Sequence, residues 1–231
     1  MSPGRANRSR HKRSQTASSA TSMQTTRERL LHEARNILEE GGYAAASVQA
    51  IADRSGVAAG TLYRHFSSKA ELFVELFREA ARIDIDAMRT AAASGGSVER
   101  LEAIVATFAR RALRAPRLAW ALVYEPVDPI VDAERLVYRR EHCRRMAKLL
   151  RQGITAGEIP NQNVELSAAA IVGAIAESLV GPLSPVGEIS SEENLIATLV
   201  RFCRRSLGIA DNAALRSVTR LSDRARARST H

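Results

Sequence analysis

Aromatic residues are scarce in this chain: five Phe, four Tyr and one Trp make up 4% of 231 residues. The apolar stock is instead Ala, Leu, Val and Ile, which suits closely packed helices better than a β-sandwich. Cysteine is nearly absent as well. Cys143 and Cys203 both fall in stretches of helical apolar periodicity, so a disulfide framework is excluded and two buried thiols in a reduced, cytoplasmic protein are expected. Long apolar runs are missing, since the longest, AAAIVGAIA at 168–176, stops at Glu177, well short of a membrane span. The basic N-terminal stretch lacks the apolar segment of a secretory signal, and no membrane partner is expected. There is no Gly-rich phosphate loop and no Cys/His grouping with metal-ligand spacing. His142 adjoins Cys143, but neighbours on a helix face different directions, so catalysis, metals and cofactors are not expected.

Hydrophobic residues account for 45% of the chain, enough for a real core, and the length suits a small module joined to a larger one. The formal charge of +9 sits mainly in two tails. Arg5, Arg8, Arg10, Lys12 and Arg13 lie in the first 25 residues without an acid, and five Arg face only Asp211 and Asp223 after residue 208. The intervening region is close to neutral. DNA binding by that region must therefore rest on placement of side chains rather than bulk charge.

The pattern predicts an all-α fold. Residues 1–24 and 209–231 are expected to be disordered basic tails. Between them, Leu30, Ala34, Ile37 and Leu38 mark a helix over roughly 27–40, stopped by Gly41 and Gly42. Ser47 is placed to cap a second helix that ends at Ser55 and Gly56, and a third runs from about 58 to 65. Ser68 and Glu71 form a capping box opening a fourth helix to about 92. Further helices are expected at 98–114, 117–125, 132–156, 163–180 and 191–207, with the prolines between them. The domains so defined are 25–73 and 74–208.

Helices two and three, joined by a tight turn at Gly56, have helix-turn-helix spacing. With Leu62 turned inward, Phe66, Ala58 and Ala59 lie on the same side, while Gly60, Thr61, Tyr63 and Arg64 face out. Gly60 permits close backbone approach, Thr61 can touch a base edge, and Arg64 can pair with guanine or phosphate. The stretch SVQAIADRSGVAAGTLYRHFSSKAELF, 47–73, resembles the DNA-binding region of TetR-type transcriptional regulators. Residue by residue, the resemblance implies that Ser47 and Tyr63 contact phosphates, that Thr61 and Arg64 lie at bases flanked by Ala59 and Gly60, and that Lys69 reaches a phosphate. His65 is either a backbone contact or a packing residue.

The resemblance further implies a small-molecule effector bound by the larger region and a homodimer built on its last two long helices. Trp120, Tyr124, Glu125, Tyr138 and His142, set among apolar neighbours such as Leu122, Val123 and Met146, are the polar-tipped candidates for the effector pocket, with Glu177 as a lone acid in an apolar helix. The implied function is a repressor that leaves a palindromic double-stranded DNA operator when its effector binds. Alternatives are a ligand-independent regulator or activator and, in another class, a helical interaction protein with a vestigial head. The abundance of Arg and Ala hints at a GC-rich bacterial genome.

Overall fold

A computed structural model describes residues 24–188 and 191–209, and for residues 5–23 only their helical course. The expected disorder of residues 1–24 and the expected helix start near residue 27 are corrected here, since the course of α1 is already helical from Arg5, whereas the tail expected at 209–231 lies outside the described residues apart from Ile209. Every regular element among the described residues is a helix: α1 (Arg5–Ala45), α2 (Val48–Arg54), α3 (Ala59–His65), α4 (Lys69–Ala91), α5 (Ser97–Arg114), α6 (Pro116–Val123), α7 (Pro129–Thr155), α8 (Val164–Leu183) and α9 (Glu192–Ser206). Pro116 and Pro129 open helices, where the missing N–H costs nothing. Pro182, expected between helices, lies inside the last turn of α8.

The helices enclose two cores. The first joins Leu30, Ala34 and Leu38 of α1, Ile51 of α2, Leu62 and Phe66 at α3, and Leu72, Phe73 and Leu76 of α4. It also takes in Leu118 and Ala121 of α6 and Val131 of α7. The second is built from α5, α7, α8 and α9, with Leu101, Val105, Leu150, Ile171, Leu179 and Cys203 at its centre. Ile209, placed in the tail from sequence, is buried in this core. The boundary expected at 73/74 falls within α4, whose N-terminal third packs in the first core while its remainder packs on α5 and α7. At about 1.5 Å per residue this helix is roughly 34 Å long.

The expected capping box at Ser68 is half formed. Ser68 Oγ accepts from Glu71 N at 3.1 Å, but the Glu71 carboxylate reaches one residue further back and accepts from Ser67 N at 2.6 Å. The turn between α2 and α3 is a Schellman motif: Val57 N donates to Ala52 O at 3.0 Å and Gly56 N to Asp53 O at 3.1 Å, with Gly56 at φ +63°. That closed turn fixes the angle at which α3 leaves α2.

Arg27 ties the first core together from outside. Its guanidinium pairs with both carboxylate oxygens of Glu75 on α4 and lies 4.7 Å from the Phe66 ring centroid. Arg54, in the last turn of α2, donates to Glu33 and Glu40 of α1.

α8 is the one helix among the described residues long and apolar enough to cross a membrane, longer than the run seen in sequence. Its strip of Ala168, Ile171, Ile175, Leu179 and Leu183 packs into the second core, as a core helix does. The rest of its surface is open, and Leu166 is 68% exposed.

Gly42 kinks α1 with φ +74° and ψ −172°, a conformation essentially reserved for glycine. A Cβ there would also overlap the side chains of Arg117 and Glu125, whereas one on Gly56 would meet nothing. Gly56→Ala should thus cost only the backbone term, about 1–2 kcal/mol, and Gly42→Ala clearly more. Urea denaturation of both variants checks the order; equal costs would mean that the joint around Gly42 yields freely.

Candidate functional site

The short helix α3 holds its place through Leu62 and Phe66, which are 0% and 1% exposed. A seven-residue helix is not stable alone, so these two side chains decide which face remains outward. Tyr63 is 56% exposed, Arg64 and Gly60 are exposed, and Thr61 is half-buried. Arg64 makes no ion pair or hydrogen bond among the described residues. A Cβ on Gly60 would meet no atom within 4 Å, so nothing inside the protein requires glycine there, and its helix-propensity cost of about 1 kcal/mol has no internal return. Ala58 is an exposed N-cap in extended conformation rather than an inward residue, and Ala59 is half-buried.

Three other sequence candidates are engaged within the protein. Ser47 Oγ caps α2, accepting from Ala50 N at 3.1 Å. Lys69 folds over the ring of Tyr43, 4.3 Å from its centroid, and Nζ donates to Tyr43 O at 3.4 Å. Burial pushes the Lys69 ammonium below its ordinary pKa. His65 is half-buried, and desolvation together with Arg64 and Arg27 lowers its pKa, which keeps the ring neutral near pH 7.

A cavity of about 450 Å³ lies among α4, α5, α6, α7 and α8. Its walls are mostly apolar, with Met88, Phe108, Leu118, Met146, Ile175 and Leu183 among them. Tyr124, Tyr138 and His142 line it as expected, along with Leu122 and Val123. Tyr124 is already committed: its hydroxyl donates to Ala176 O, and burial pushes its pKa up to about 12. Tyr138 and His142 stand one turn apart on α7, ring centroids 4.3 Å from each other, with Phe77 and Phe108 against them. Burial raises the Tyr138 pKa and lowers that of His142, leaving both neutral.

The other three expected pocket residues do not line the cavity. Trp120 is half-buried and stacks on Tyr124, 5.2 Å between centroids. Glu177 faces solvent on the outer side of α8. Glu125 binds the first core instead: its carboxylate accepts from Tyr43 N at 2.6 Å and pairs with Arg117 at 3.1 Å. Cys143, expected buried, is only half-buried.

Sequence reasoning missed Arg135. Its guanidinium donates to the carbonyls of Ala121, Leu122 and Glu125 at 2.9, 2.7 and 2.9 Å, closing the C-terminal end of α6. Ten to fourteen residues separate it from these partners, and among so many exposed arginines on α7 no sequence signal distinguishes it.

The helix-turn-helix geometry, with α3 presented outward from the Schellman turn, coincides with a family match. Residues 30–76 match the model of bacterial regulatory proteins of the tetR family. Over its head this chain is similar to the N-terminal region of that family. Over 97 residues it is 42% identical to the HTH-type transcriptional repressor KstR of Mycobacterium tuberculosis, an alignment covering 42% of this chain and 44% of that relative. The chain thus spans under half the length of this relative. The fold of the chain is similar to that of the fatty acid degradation regulator FadR of Bacillus halodurans, with TM-score 0.68 and 20% identity over 77% of this chain and 93% of the other. FadR of Bacillus subtilis, solved in complex with stearoyl-CoA, gives 0.62 and 22% over 75% and 97%. In this chain the head and the cavity share α4 and α6, with Leu118 belonging to both.

Glu125 holds a backbone N–H of α1 with a charged acceptor, an interaction of about 1.5–3 kcal/mol. Glu125→Ala is therefore expected to lower unfolding stability by about that amount while leaving ligand affinity of the cavity unchanged. Denaturation and ligand titration of the variant check this, and a stable protein with altered ligand affinity would return Glu125 to the pocket.

Proposed function

We propose that this protein is a homodimeric, sequence-specific transcriptional repressor that binds a palindromic operator and is released from it by a mostly apolar effector. The observation that carries the proposal is the outward face of α3. Tyr63, Arg64 and a glycine with no internal purpose stand on a helix held rigidly by Leu62 and Phe66. Such a face fits a major groove: Gly60 lets the backbone approach, Thr61 and Arg64 meet base edges with Ala59 beside them, and Tyr63 meets a phosphate. Ser47 and Lys69, near the N-termini of α2 and α4, border the same groove, and His65 serves packing in its neutral form. The head carries six basic and six acidic side chains over 26–72, so specificity comes from placement. The likeness of the head to KstR supports repression, and work on chromosomal DNA places the protein in the bacterial cytoplasm.

The cavity is the effector site. Its apolar walls suit a largely hydrocarbon molecule, and Arg139 and Lys148, which form no ion pair among the described residues, supply cations for an acidic group at its edge. The stearoyl-CoA held by FadR of Bacillus subtilis, a long acyl chain with a charged carrier, supports this class. Occupancy acts on the head through α4 and α6, which line the cavity and pack in the first core.

The dimer forms on the open face of α8, where Leu166, Ala169, Ala170 and Gly173 are unburied or half-buried, with Phe202 of α9, 51% exposed, beside it. Small residues there let a second copy approach closely. One α3 reads too few base pairs alone, and two linked heads on a palindrome gain effective concentration.

Footprinting on DNA upstream of the gene, followed by titration of operator variants, tests the reading. Arg64→Ala should cost about 1–3 kcal/mol and relax preference at one base position, whereas Tyr63→Phe should weaken all sequences alike. No protected inverted repeat, or wild-type affinity in both variants, would sink the assigned face.

Gly173→Glu tests the dimer. A side chain there has open space in the protomer, so the variant should fold, remain helical and be monomeric, with operator affinity lost. Circular dichroism with sedimentation decides it, and a folded dimer would place the interface elsewhere.

A further inference from the structure

Two polar atoms of residues that line the cavity have no hydrogen-bond partner among the described residues: Tyr138 Oη and His142 Nε2. Both are fully shielded from solvent although the rings around them are apolar. A buried hydroxyl or imidazole nitrogen left unpaired is costly, so such pairs are rarely retained in a wall that a phenyl or aliphatic side chain would fill equally well. Tyr124, the other tyrosine of the cavity wall, lacks this property because Ala176 O accepts its hydrogen, and Asp84 and Arg111, the charged pair nearby, are engaged with each other. Tyr138 and His142 sit at i and i+4 on one face of α7, with rings in edge contact.

We propose that Tyr138 and His142 form a subsite for one uncharged oxygen of the effector, a carbonyl or hydroxyl embedded in an otherwise apolar body. The proposal rests on the cavity being the effector site and adds the chemistry it selects. A carbonyl oxygen accepts from the phenol O–H and from an imidazole N–H; a hydroxyl accepts from one and donates to the other. Burial supports this by keeping both rings neutral, so that neither offers a charge to a carboxylate. Any acidic part of the ligand lies instead toward Arg139 and Lys148.

Three probes of nearly equal shape test it: benzophenone, benzhydrol and diphenylmethane, which carry a carbonyl, a hydroxyl and no oxygen. Equilibrium dialysis against the full chain should show at least one oxygenated probe bound about tenfold more tightly than diphenylmethane, the equivalent of about one good hydrogen bond. Ultraviolet cross-linking of benzophenone should fall on peptides of the cavity wall. In Tyr138→Phe combined with His142→Leu the preference should drop to near unity while diphenylmethane binding is kept or improved. Without any probe, Tyr138→Phe should melt at or above the wild-type temperature, because the removed hydroxyl had no partner.

Equal binding of the three probes inside the cavity would overturn the oxygen subsite and leave the effector cavity standing. Binding of none would overturn both. A melting temperature more than about 5 °C below wild type for unliganded Tyr138→Phe would also overturn it, since a loss of that size means the hydroxyl was already satisfied within the protein.

Discussion

An eight-residue helix joins the two halves of this protein, and one part-buried guanidinium holds the end of that helix. Without Arg135 the carbonyls of Ala121, Leu122 and Glu125 would lose a charged donor, at about 1–3 kcal/mol. With them satisfied, α6 can turn Leu118 and Ala121 toward α1 on one side and Leu122, Val123 and Tyr124 toward the cavity on the other. Glu125, just beyond its end, then meets Tyr43 N and Arg117 over the kink that Gly42 makes possible. The cavity and the helix-turn-helix head are thereby two faces of the same short helix.

The fold was legible in the sequence wherever one physical signal acted alone. Apolar spacing placed Leu62 and Phe66, Ser47 and Ser68 marked helix starts, and proline and glycine bounded the long helices to within a few residues. Gly60, Tyr63 and Arg64 followed as outward from Leu62 by angle, whereas Ala58, expected inward, is an exposed N-cap outside the helical rotation. What could not be read depended on partners far apart in the chain. Glu125 looks the same in sequence whether it meets a ligand or Tyr43, and Glu177 whether it faces a cavity or water. Trp120, Tyr138 and His142 share a composition cue, yet only the last two reach the cavity, because the rotation of α6 and α7 depends on neighbours that periodicity does not specify. The shift of Glu71 from Ser68 N to Ser67 N is a matter of side-chain reach within a recognised start signal.

The near-neutral head has a consequence for how the protein must find its site. On the proposed reading, a head without a strong field supplies discrimination through placed side chains rather than long-range attraction.

On the proposed reading, the length of α4 sets the scale of motion available for control. A rod of roughly 34 Å pivoting at its cavity end by about 5° carries its other end through about 3 Å. That is close to the 3.4 Å step between neighbouring base pairs. In a two-headed reader each head would travel this far, so a rearrangement small enough to leave both cores intact suffices to put two reading helices out of register with successive grooves.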